Sequence, residues 1–157
     1  MFVFIRAVTY STLFIGLVLV FLPAQLLPSG IVRPETIGAS QILGMVVAVG
    51  GGAIALWCIL TFAVVGRGTP APFDPPRRLV VSGPYAVVRN PMYIGAGLAL
   101  VGAALSYQSL ALLGYAAAFL LVTHLFVVLY EEPTLQRTFG TEYETYCRQV
   151  RRWWPRP

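Results

Sequence analysis

The sequence predicts an all-α, polytopic membrane helix bundle of about four transmembrane helices followed by a C-terminal cytoplasmic amphipathic helix. Three observations carry this. Of 157 residues, 57% are hydrophobic and only 11% charged, whereas a soluble domain is about a quarter charged. Mean hydropathy is +0.75. The charges leave three long gaps, residues 7–32, 36–66 and 90–130. A crossing takes about 20 apolar residues, so the first two gaps hold one each. The third would rise about 60 Å as one helix, roughly twice the hydrocarbon thickness, and must fold back on itself.

Span one is expected over residues 7–27, broken near Pro23 and Pro28. Arg6 before an apolar run resembles a signal peptide, but Pro23-Ala24-Gln25 is not a small-x-small cleavage site and further spans follow, so a retained helix is expected. Span two covers 37–65, where Gly44 and Gly50-Gly51-Gly52 suit close helix approach. Four prolines between 70 and 76 then forbid a continuous helix, and Ser82-Gly83-Pro84-Tyr85 signals a turn. Span three, 92–105, is short. Ser106-Tyr107-Gln108-Ser109 marks the reversal into span four, 110–130, which ends in Glu131-Glu132-Pro133. Beyond it, Leu135, Phe139, Tyr143, Tyr146 and Val150 recur at helical spacing as the apolar stripe of one amphipathic tail helix, with Trp153-Trp154 at interface depth. The whole chain, 1–157, reads as one domain: two N-terminal spans in 1–65 and a chemistry-bearing part in 66–157.

All eleven basic residues are arginine. Arg67, Arg77, Arg78 and Arg89 crowd the middle connection, and five more follow residue 133, so the positive-inside rule puts both termini and that connection in the cytoplasm, across a cytoplasmic (inner) membrane. The net charge of +5 borders apolar spans, which points to membrane lipids and away from nucleic acid. Cys58 and Cys147 lie too far apart for a disulfide and read as packing residues. A single histidine without paired cysteines implies no metal.

The polar residues that carry chemistry gather in 89–97 and 124–132, which antiparallel spans three and four bring to one membrane boundary. Glu131 and Glu132 are neighbours and point about 100° apart. The pair reads either as a solvated helix stop or as a site. His124 lies two turns before Glu131, as an inter-helix hydrogen-bonding group or a catalytic one. Arg89 suits an anion or lipid phosphates. Gly95-Ala96-Gly97 suits helix packing or a ligand edge.

Gly83-Pro84-Tyr85, Arg89-Asn90-Pro91-Met92-Tyr93, Gly95-Ala96-Gly97, Glu131-Glu132, residues 139–146 and Trp154-Pro155, in that order, resemble the isoprenylcysteine carboxyl methyltransferase and phospholipid methyltransferase superfamily. Asn90 stands where the superfamily has histidine. The resemblance implies S-adenosylmethionine as cofactor and a lipid-like or prenylated small-molecule acceptor. It places Arg89, Asn90, Tyr93, Gly95, Gly97, His124, Glu131 and Glu132 at the cofactor, with His124 and Arg89 as catalytic candidates. A sterol-reductase-like enzyme using NADPH and a non-enzymatic scaffold are the alternatives; the first needs a larger bundle, and the second leaves the polar cluster unexplained.

The topology is open to test by single-cysteine accessibility in intact cells. A cysteine at Gln108 is expected to react from outside and one at Arg77 to stay protected; the reverse pattern overturns the four-span arrangement.

Overall fold

The computed structural model describes residues 15–27, 37–66 and 78–156, with Thr9 and Leu13. Most of the proline-rich connection and the start of span one lie outside the described residues. Among those described the chain is all-helical, with no strand: α1 (Ile15–Gln25), α2 (Ala39–Gly66), α3 (Pro91–Ser106), α4 (Leu110–Phe139) and α5 (Thr141–Gln149). Helices α2 and α4 are long and apolar enough to cross a membrane, while α1 and α3 are shorter apolar helices. Large side chains such as Val46, Val49, Leu56, Trp57, Leu121 and Val122 are exposed. A soluble helix would bury such a surface, whereas a bilayer solvates it.

Helices α2 and α3 touch backbone to backbone. A Cβ built on Gly51 would lie 2.5 Å from the carbonyl oxygen of Gly95, and one on Gly95 would lie 2.7 Å from that of Gly51. One turn-pair further along, a Cβ on Gly44 would lie 2.5 Å from the Ser106 amide nitrogen. In lipid, burial of apolar surface gives helices little reason to associate, so close van der Waals packing of small residues does it. Polar bonds finish the same seam. Gln41 accepts from the Gly38 amide at 2.6 Å to start α2, and Gln108 donates to Ser40 at 3.0 Å.

The reversal falls where the sequence places it. Gln108 takes a positive φ of 50°, and Ser109 caps α4 by accepting from the Leu112 amide at 3.3 Å. Leu112 and Ala116 then bury against the bundle, and Tyr115 donates to the Val18 carbonyl of α1 at 2.8 Å.

The tail departs from expectation. Instead of one amphipathic helix after Pro133, α4 runs on to Phe139, and α5 starts anew after Gly140, whose φ of +53° breaks the helix there. The apolar stripe survives the break. Tyr143, Tyr146 and Val150 bury with Leu79, flanked by Leu135, Phe139 and Cys147. Val80 and Tyr85 pack oppositely, onto Cys58 of α2. Residues 79–85 are thus held between two apolar clusters, and this fixes the entry to α3.

Gly51→Ala is expected to destabilise the protein by about 1–3 kcal/mol, since backbone must move to admit a methyl group. Gly50→Ala meets nothing within 4 Å among the described residues and should be neutral. Thermal unfolding in detergent distinguishes them; equal effects would refute the backbone seam.

Candidate functional site

The start of α3, the end of α4 and the C-terminal tail converge on one cluster of charge. Arg89 precedes α3 at the point where Pro91, lacking an amide hydrogen, occupies the first helical position at no cost. On α4, residues Val127–Glu131 form a π-helical turn, an insertion often found at functional sites. The neighbouring glutamates that follow from this turn diverge. Glu131 accepts from the Tyr93 hydroxyl at 3.0 Å. Glu132 meets two arginines, Arg89 at 3.2 Å and Arg152 through two bonds of 2.7 Å each. The fork of Arg152 matches both oxygens of the carboxylate, the strongest form of this pair. Those bonds push the Arg152 guanidinium further toward its charged form.

The tail lies across this cluster by its backbone as well. The Arg89 amide donates to the Arg151 carbonyl at 2.9 Å, and Asn90 donates through its side-chain amide to the Arg152 carbonyl at 3.3 Å. Trp153 donates from its indole nitrogen to Nδ1 of His124 at 3.2 Å. A neutral His124 in this arrangement carries its proton on Nε2 and is a donor there. Arg89 is tied down on a further side, donating through Nη1 to Sγ of Cys147. Its Nε is buried and finds no hydrogen-bond partner among the described residues.

Five of the eight residues expected at the site, Arg89, Asn90, Tyr93, Glu131 and Glu132, meet here directly. His124 joins through Trp153. The two glycines turn elsewhere: Gly95 faces Gly51 and Ala55 of α2, and Gly97 faces the Leu120 side chain of α4. Both positions serve helix packing in the structure.

A family model described as phospholipid methyltransferase matches residues 39–142, more than half of the 157. The chain belongs to the phospholipid methyltransferase family. It is thus a membrane methyltransferase. No curated protein and no solved structure matches it. The match spans α2, α3 and α4 and stops at the start of α5. Arg151, Arg152 and Trp153, which close over the charge cluster of this phospholipid methyltransferase family member, lie beyond it. The sequence marks the tail ending in Trp153-Trp154 as a candidate lid over this end of the bundle, but Arg151 and Arg152 were missed as site residues, because an arginine run after an apolar span carries only an orientation signal. Cys147, taken for packing, was missed because nothing local reveals its approach to Arg89.

Tyr146 ties α5 to the entry of α3 by donating to the Tyr85 carbonyl at 2.6 Å. Burial pushes the Tyr143 and Tyr146 phenols up from the ordinary tyrosine value. The fold then keeps these protons at a pH where the unfolded chain releases them. Their contribution to stability is complete below the ordinary tyrosine range and is lost as pH rises through the raised folded value. Tyr146→Phe is expected to cost about 1 kcal/mol at neutral pH and to flatten the alkaline fall in stability. Thermal unfolding between neutral and alkaline pH checks both; an alkaline limb as steep as that of the unsubstituted protein would refute the assignment.

Proposed function

We propose that this protein transfers a methyl group from S-adenosylmethionine to a lipid-like acceptor at the cytoplasmic face of the membrane. In this reading α1 and α3 also cross the bilayer, making four spans with both termini cytoplasmic. The observation that carries it is the meeting of both signs of charge, at one end of an apolar bundle, in a chain of this family.

The residues suit that cofactor, which bears a carboxylate, an ammonium group, ribose hydroxyls and a sulfonium. The unpartnered Nε of Arg89 is a donor for a carboxylate. Glu131 uses one oxygen on Tyr93 and has the other to accept from a hydroxyl or ammonium group. Asn90, in place of the superfamily's histidine, binds the tail instead of a ligand and thereby holds the cover in position. When bound, the cofactor supplies an electrophilic methyl group for in-line displacement. The chain supplies alignment, worth several kcal/mol in such reactions, and the tail excludes water. His124 enters as an Nε2–H donor under Trp153, and Arg89 as the orienting cation. The acceptor, a prenylated carboxylate or a phospholipid amine, arrives sideways from the bilayer, so only the cofactor has to come from the cytosol.

Titration of the purified protein with S-adenosylmethionine, beside NADPH and a ligand-free control, tests the reading. Saturable binding of S-adenosylmethionine alone is expected, weakened at least about tenfold by Glu131→Gln because a charge-assisted contact is worth about 1.5–3 kcal/mol. Lipid extract supplied with methyl-labelled cofactor should then yield labelled lipid. Binding of NADPH instead would overturn the methyl-transfer reading.

A further inference from the structure

We infer that Arg152 is a positioning residue: it fixes the carboxylate of Glu132, and through it the guanidinium of Arg89, in the arrangement that receives the cofactor's carboxylate. The inference deepens the cofactor reading above and rests on it. It assigns the two adjacent glutamates different work. Glu131 faces Tyr93 and the ligand, whereas Glu132 is an internal strut between two arginines.

The geometry supports this division. Both Glu132 oxygens are engaged, Oε1 by Arg89 and by Nε of Arg152, Oε2 by Nη2 of Arg152. The carboxylate has no oxygen left without a cationic partner, which suits a strut better than a hydroxyl acceptor. Arg89, in turn, has Nη2 on Glu132 and Nη1 on Cys147, so its remaining buried donor, Nε, has a set direction. Removing Arg152 leaves Glu132 with Arg89 alone. The guanidinium is then drawn wholly toward that carboxylate, competing with any ligand carboxylate for the same cation. The Arg152 backbone is independently anchored by Asn90, so the side chain can be changed without freeing the tail.

The inference can be checked with and without ligand. S-adenosylmethionine is titrated into the unsubstituted protein, Arg152→Gln, Arg152→Lys, Glu132→Gln and the Arg152→Gln/Glu132→Gln double variant. Arg152→Gln is expected to weaken affinity about tenfold, as loss of a charge-assisted pair implies. Lysine, which keeps the charge and loses the fork, should recover part of it. In the Glu132→Gln background the Arg152→Gln effect should vanish, because the strut is already gone. In ligand-free protein, alkylation of Cys147 should slow in Arg152→Gln as Arg89 leaves its sulfur, because a neighbouring guanidinium favours the reactive thiolate, with fully buried Cys58 as internal control. Affinity within twofold of the unsubstituted protein, or an undiminished effect in the Glu132→Gln background, overturns the inference. Should Arg152→Gln not fold, an intermediate loss in Arg152→Lys supports it and unchanged binding overturns it. Absence of S-adenosylmethionine binding in the unsubstituted protein sinks the cofactor reading itself; the Cys147 rates then decide separately whether Arg152 positions Arg89, and unchanged rates overturn that too.

Discussion

A carboxylate at the end of an apolar helix is costly to desolvate, by several kcal/mol, unless cations and hydrogen bonds replace the water it loses. Glu132 meets that constraint with Arg89 from before α3 and Arg152 from the tail. The two arginines lie far apart in sequence and on different elements. Satisfying one carboxylate therefore brings three parts of the chain together, and the rest of the site follows from that meeting. Tyr93 lies one turn into α3 and reaches Glu131; Asn90 reaches the tail backbone; Trp153 reaches His124.

Such a cluster needs a rigid platform, and lipid supplies no hydrophobic force to hold two helices side by side. The seam of Gly44, Gly51, Gly95 and Gly102 provides it, because bare backbone brings α2 and α3 into van der Waals contact along their length. The connection into α3 is set differently. Leu79 packs on α5 while Val80 and Tyr85 pack on α2, so alternate sides of one short stretch are gripped by different elements. Aromatic residues contribute large buried surfaces to both clusters, Tyr143 and Tyr146 to the first and Tyr85 to the second.

The site thus combines a fixed floor with a cover made by the tail. The floor is the family's matched segment, carried by helices. The cover is held by one backbone–backbone bond, one bond from the Asn90 side chain, one ion pair and one indole–imidazole bond, beside the packing of Val150 with Leu79.

Much was legible in the residues themselves. Gaps between charges gave the apolar helices, Ser106 to Ser109 gave the reversal, and helical spacing gave the stripe that packs on Leu79, since each depends on hydropathy or on local backbone preference. The divergence of Glu131 from Glu132 was legible too, because adjacent side chains on any helix point apart. The break at Gly140 was not, because glycine is compatible with a continuing helix and only the packing of α5 selects its positive φ. Nor could the sequence distinguish glycines that seat helices from glycines that admit a ligand, for Gly95 differs from other small residues only in what lies opposite. The membrane bundle and its charged end were therefore determined by composition and periodicity. Which arginine meets which glutamate was decided by tertiary structure alone, because ion pairing depends on distance in space, and Arg89 and Arg152 acquire a common partner only when the chain folds back.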